Sequence, residues 1–216
     1  MRKTIYLDLD GTLLNVFDRL YKLYTFLLTE ERVKKHLSKE EYITTKRENI
    51  KEEEIIKTQL SKEKRTDYHH KREKLIESPA FLQYDFLPDH ISKTLDKLQE
   101  NYDLILITKR KSEQNLRDQL KRLEMDHFFR KILVTGEKYQ SKAEIIREEY
   151  LSPHSIIIGD TEEDIITGKK LNITTIAITS GMREKDILKR YNPDFIIENL
   201  SLFSEIEAQI SKLLQK

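Results

Sequence analysis

The stretch KTIYLDLDGTLL, residues 3–14, sets the reading of the whole chain. Its first half is a short apolar run of period two that stops at Asp10-Gly11, the pattern of a strand followed by a turn. Along a strand, residues i and i+2 point the same way, so Asp8 and Asp10 leave the strand end as neighbours. Two carboxylates this close repel unless a cation or a proton intervenes. Mg²⁺ is the natural cation for an all-oxygen site. A carboxylate can also attack phosphorus covalently, with its neighbour as general acid and base.

Outward from this stretch, residues 16–28 are rich in Phe, Leu and Tyr and predict a helix. From 29 to 77 there is no Gly or Pro, and Lys, Arg and Glu dominate. Val33/Leu37 and Ile56/Leu60 are i,i+4 pairs suited to one-sided helices, so two or three helices are expected here. Ser78-Pro79 and Leu87-Pro88 bracket a linker, because the residue before a proline leaves the helical region. Beyond it the pattern alternates. Strands are expected at 103–108 (DLILIT), 131–135, 155–159 (SIIIG), 173–178 and 194–197. Helices are expected around Ile91–Leu98, around Leu116–Leu123, and at 141–150, 161–171, 183–190 and 201–214. Such alternation means βαβ units. The fold class is α/β: a parallel, Rossmann-like sheet flanked by helices, built from 1–14 and 86–216, with an all-helical insert at 15–85. In open sheets of this kind, ligands bind at the carboxyl ends of the strands.

Those strand ends carry the remaining chemistry. GDTEED, residues 159–164, puts Asp160 at a strand end and Asp164 one helical turn later on the same face, both suited to the cation near Asp8. Thr108 ends the 103–108 strand, where its hydroxyl and the following backbone amides can hold a phosphate. Lys109, Arg110 and Lys111 follow, as a solvated loop or as a patch for an anionic substrate. Lys142 opens a helix within a capping-box pattern, Ser141 to Glu144, and can offset phosphate charge; Lys138 competes for that role. His69-His70 do not face one way on a helix, and no third metal ligand is evident beside them.

DLDGTLL, a strand ending in threonine, a lysine and GDTEED together resemble the haloacid dehalogenase-like hydrolase superfamily. The likeness covers 1–14 and 86–198, and the insert sits where that superfamily places a helical C1-type cap. The resemblance implies Asp8 as the nucleophile that becomes an aspartyl-phosphate. It implies Asp10 as the acid that protonates the leaving group and then activates water. Thr108 would bind the transferring phosphoryl group and Lys142 would stabilise its charge. Mg²⁺ would be held by Asp8, the backbone carbonyl of Asp10, and Asp160, with Asp164 in support. The family usually has asparagine after the threonine; Lys109 stands there instead, with Arg110 beside it as a further candidate for substrate contact. The second aspartate, Asp10, disfavours dehalogenase chemistry.

Composition sets the outer bounds. The chain has 216 residues, no cysteine and five glycines. A disulfide framework and a zinc–thiolate site are excluded. Average glycine usage near 7% would give about fifteen, so each retained glycine needs a reason. Lys+Arg is 39 against Asp+Glu 38, for a net charge of +1. That balance argues against a nucleic-acid or membrane-surface partner. No apolar run approaches the ~18 residues of a membrane helix, and the N-terminus lacks a signal-peptide core. The expectation is a cytoplasmic Mg²⁺-dependent phosphatase acting on a small phosphorylated metabolite, as monomer or homodimer. A phosphomutase, a phosphatase of protein or nucleic-acid ends, and a non-catalytic binding protein are the alternatives.

Overall fold

The structure is a computed structural model that describes residues 2–136, 138–152 and 154–214. Its elements run β1 (Lys3–Leu7), α1 (Phe17–Glu30), α2 (Lys39–Arg47), α3 (Glu52–Ile56), α4 (Lys62–Leu75), α5 (Pro79–Leu82), α6 (His90–Asn101), β2 (Tyr102–Thr108), α7 (Glu113–Arg122), β3 (Lys131–Val134), α8 (Lys142–Glu149), β4 (Ile156–Gly159), α9 (Glu162–Leu171), β5 (Thr174–Ile178), α10 (Lys185–Lys189), β6 (Phe195–Ile197) and α11 (Phe203–Leu213).

The described strands form one sheet in the order β3-β2-β1-β4-β5-β6, with every pairing parallel. Strand residues alternate between two cores, as a period of two requires. Ile5, Leu7, Leu104, Leu106, Ile156 and Ile158 face one. Tyr6, Ile105, Ile107 and Ile157 face the other, against Ile145 and Ile146 of α8. Burial on both faces is why these strands read as near-continuous apolar runs. The chain builds outward from β1 through β2 to β3, then crosses back to lay β4 on the other side of β1. The strand order therefore reverses between β1 and β4, where a crevice opens at the carboxyl ends.

Six helices lie between β1 and β2, and five of them, α1 to α5, form an excursion that ends before α6. The chain departs and returns at one place: Asn15 and Phe86 exchange backbone hydrogen bonds of 3.0 and 3.2 Å. Here the sequence expectations need correction. Val33 and Leu37 are not helical. Arg32 adopts a left-handed conformation after α1, and the chain runs irregularly to Ser38, which caps α2 in a reciprocal box with Glu41. Both side chains still pack on the core, so their spacing reported burial rather than helix. Ile56 closes α3 and Leu60 lies beyond it. The 78–88 linker contains α5, because Pro79 sits at the first helical position, where its fixed φ and missing N–H cost nothing. No helix among the described residues is long and apolar enough to cross a membrane.

Candidate active site

Asp8 is the first residue past β1, and its amide extends the β1–β4 pairing by donating to the Ile158 carbonyl at 3.0 Å. Asp160 follows β4 and Asp164 lies in the first turn of α9. The topology thus brings three carboxylates to the mouth of the crevice. Glycine makes the approach possible. Gly11 has φ +95°, and a Cβ there would lie 2.0 Å from Asp160 Oδ2; a Cβ on Gly159 would meet Asp164 at 2.1 Å.

Asp8, Asp160 and Asp164 are all buried, with an oxygen of each within 4.8 Å of the others, the one such metal-capable group found among the described residues. Lys142 Nζ lies 2.5 Å from Asp8 Oδ1 and 2.6 Å from Asp164 Oδ1. Thr12 Oγ1 is 3.2 Å from Asp8 Oδ2 and 3.1 Å from Asp160 Oδ1. The Met182 amide donates to Asp160 Oδ2 at 2.6 Å. One lysine does not balance three carboxylates. Burial, with Asp164 and Asp160 adding repulsion against the attraction of Lys142, pushes Asp8 well above the usual carboxylate range. Burial and the Asp164 charge push Asp160 up to about 7. Lys142 is held charged: its two carboxylate partners outweigh the burial that would neutralise it. Buried oxygens with surplus negative charge are what a hard divalent cation requires, so the residues present fit Mg²⁺.

Asp10 sits in the opposite field. Arg110 grips it bidentately, Nε to Oδ2 at 2.7 Å and Nη2 to Oδ1 at 2.6 Å, and Arg19 Nη2 lies 3.1 Å from Oδ1. Burial opposes its ionisation, but the two guanidiniums win and hold Asp10 far below the ordinary range. Behind them lies Asp85, which accepts from Gln119 Nε2 at 2.8 Å. Arg19 Nε is 3.2 Å from Asp85 Oδ1, close enough for an ion pair but not aligned for a hydrogen bond. Burial raises Asp85 to about 6 against the pull of Arg19. The carboxylate of Asp10 is therefore apart from the acidic triad.

A cavity of about 210 Å³ joins the two regions, with Asp8, Asp10, Thr108 and Lys142 in its wall. Thr108 is buried, and its Oγ1 accepts weakly from the Arg110 amide at 3.4 Å. Lys109 lines the same cavity while its Nζ pairs with Glu163 at 3.2 Å. Arg110, expected at the substrate, also lines the cavity, while its guanidinium engages Asp10 and Asp85, with Nη1 buried and unpartnered. Lys138 is bonded to Tyr139 and Glu149, so of the two competing lysines it is Lys142 that lines the cavity. His69 pairs with Glu53 at 2.7 Å. Arg19, Asp85 and Glu77 were missed by sequence reasoning. Glu77 lines the cavity and accepts from the backbone amides of Lys111 and Ser112 at 2.8–3.0 Å, at the start of α7. All three lie in the insert, outside every motif.

Residues 5–178 match the family model described as haloacid dehalogenase-like hydrolase. The chain belongs to this hydrolase family. Among curated relatives it is 25% identical to pyrophosphatase PpaX of Oceanobacillus iheyensis, over 92% of this chain and 93% of that one. Among solved structures it resembles a haloacid dehalogenase-like family protein from Streptococcus pneumoniae. That match has 25% identity, a TM-score of 0.78, and covers 96% of this chain and 98% of that one. It also shares its fold with the hydrolase YfnB from Bacillus subtilis, solved bound to magnesium. There the identity is 17%, the TM-score 0.68, and the coverage 95% and 98%.

Proposed function

We propose that this hydrolase is a Mg²⁺-dependent phosphatase that cleaves phosphate monoesters of small molecules through an aspartyl-phosphate on Asp8. The observation that carries this reading is the pairing of Asp8 with Lys142 and two further buried carboxylates, beside a cavity that Asp10 also lines. Asp8, Asp160, Asp164 and the backbone carbonyl of Asp10 would hold Mg²⁺. When bound, the ion neutralises charge on the phosphoryl oxygens.

The chain's own residues do the rest. An Asp8 oxygen attacks phosphorus and the bond to the leaving oxygen breaks. Lys142 and the Thr108 hydroxyl meet the phosphoryl oxygens, the charge-neutralising role that dominates phosphoryl transfer. Asp10 gives a proton to the leaving oxygen, then takes one from the water that hydrolyses the aspartyl-phosphate. Arg110 and Arg19 favour the ionised form of Asp10, which the second step uses, and oppose the protonated form, which the first step uses. Residues 15–85 act as a cap on a core of 1–14 and 86–216, excluding water and selecting substrate. The cavity volume and the name of the Oceanobacillus relative both favour a small phosphorylated compound.

The test is phosphate release from p-nitrophenyl phosphate, with Mg²⁺ and with chelator, in the native chain and in Asp8→Asn. Release that needs Mg²⁺ and vanishes in the variant is expected. Turnover retained by Asp8→Asn removes the nucleophile and with it the mechanism.

A further inference from the structure

The last residue of α2, Arg47, reaches out of the insert to a core loop. Its Nη2 donates to the Thr179 carbonyl at 2.8 Å, and its Nη1 to those of Gly181 at 3.0 Å and Ser180 at 3.3 Å. Three consecutive backbone carbonyls converge on one guanidinium. The loop is held from the other side as well: the Thr179 and Ser180 amides donate to Ile197 and Glu198 at 3.1 and 2.9 Å. Contacts also run back to the insert, since Arg183 Nη1 donates to the Lys46 carbonyl at 3.2 Å and the Glu184 amide to the Arg47 carbonyl at 3.1 Å.

The Gly181 carbonyl and the Met182 amide are two ends of one planar peptide unit. Arg47 holds the oxygen end, and Asp160 Oδ2 accepts from the nitrogen end at 2.6 Å. Gly181 has no side chain to resist rotation of that plane, and no room for one: a Cβ there would lie 2.3 Å from Asp160 Oδ2 and 2.4 Å from the Gly11 carbonyl. Something outside the loop must set the plane, and the group on its oxygen belongs to the insert.

We propose that Arg47 is a positioning residue of the metal site. By holding the Gly181 carbonyl it fixes the peptide plane whose amide orients Asp160, so the acidic triad is in register only while the insert is seated. This rests on reading the triad as a Mg²⁺ site. Partners that orient a metal ligand typically contribute roughly 10- to 100-fold to metal affinity.

The experiment measures Mg²⁺ binding by calorimetry on the full chain, without substrate. It compares the native protein with Arg47→Ala, Arg47→Lys, Arg183→Ala and Asp160→Asn. The melting temperature in chelator and hydrogen exchange at the Met182 amide are recorded for each. Arg47→Ala should weaken Mg²⁺ at least about tenfold and speed Met182 exchange, with its melting temperature in chelator little changed. Arg47→Lys keeps the charge and stem but cannot span three carbonyls, so it should fall between; it also serves if the alanine variant does not fold. Arg183→Ala breaks a neighbouring contact between insert and loop, together with the Arg183 bonds to Glu162 and to the Met182 carbonyl, but removes no bond to the Gly181–Met182 peptide unit and should leave Mg²⁺ affinity near native. Native affinity in both Arg47 variants overturns the assignment. So does an equal loss in Arg183→Ala, which would make general docking the cause. If Asp160→Asn also binds Mg²⁺ normally, the metal-site reading itself has failed and the role of Arg47 falls with it.

Discussion

Asp8 and Asp10 stand two residues apart at the end of one strand and live in opposite fields. Asp8 faces two buried carboxylates and a lysine, and its proton is held more tightly than in water. Asp10 faces Arg110 and Arg19, and its proton is lost far more easily. Neighbours in sequence thus become a nucleophile awaiting a cation and a carboxylate already compensated. Pairs of titratable groups pushed apart by their surroundings mark divided catalytic labour. Here the division comes from which part of the molecule each carboxylate faces. Asp8 faces α8 and α9 of the core, whereas Asp10 faces the base of the insert through Arg19 and the loop after β2 through Arg110.

The sharpest way to break this contrast is Lys142→Ala. It removes the one cation among three buried carboxylates. Leaving a buried charge uncompensated costs about 3–5 kcal/mol, so the metal-free variant should melt much lower than the native chain. Mg²⁺ should restore a large part of the difference. Turnover should fall by roughly 10²–10³, as when one preorganised donor to developing charge is removed. Phosphate release and melting curves with and without Mg²⁺ check both. Unchanged turnover would strip Lys142 of its role.

A smaller effect is expected from Arg110→Lys. Lysine keeps the positive charge but not the planar fork that binds both Asp10 oxygens. Asp10 should then ionise at higher pH, and the acidic limb of kcat, where the hydrolysis of the aspartyl-phosphate uses ionised Asp10, should move upward. The loss in kcat should approach ~10²-fold, the lower end of what a positioned acid–base group contributes. An unshifted acidic limb would mean that Asp10 is not the titrating group.

Unequal legibility in the sequence follows the same line. The sheet and its helices were readable because βαβ units are local and strands buried on both faces read as near-continuous apolar runs. Asp8, Asp10, Thr108, Asp160 and Asp164 were readable because parallel strands deliver their ends to one edge. Lys142 was less legible, since Lys138 competed with it and only its place in the first turn of a helix aimed at that edge favoured it. Arg19, Asp85, Glu77 and Arg47 had no such signal. Each reaches its partner only after the insert has packed, so no spacing encodes the contact. Arg19 was within reach of a stricter test: an arginine inside the apolar pattern of α1 is an exception that asks for a buried acid. In the insert, Val33, Leu37 and Leu60 announced burial while being misread as helix, because a spacing of four also suits a chain that turns and packs.

The smallest effect separates the two aspartates by pH. In the metal-free protein Asp160 has its pKa raised to about 7, against about 3.9 in an unfolded chain. An acid whose folded pKa is raised contributes stability that is full below about pH 4 and is lost as pH rises through 7. Asp85, raised to about 6, adds a slope of the same sign. Asp10 is shifted the other way, so its contribution is full above about pH 4 and is lost only in stronger acid. Between pH 5 and 8 it adds no slope. Mg²⁺ takes the ionised carboxylates and so competes with protons at the triad. It has no such competition at Asp85, whose partners are Arg19, Arg110 and Gln119. The rise in melting temperature on adding Mg²⁺ should therefore be slight at pH 5, grow through 7 and level off above it, while subtracting the metal-free curve cancels Asp85. Calorimetric melts at fixed Mg²⁺ across that range measure it. A Mg²⁺ effect already full at pH 5 would mean that the triad is ionised without the metal, and that Asp8 and Asp10 differ less in their fields than their surroundings indicate.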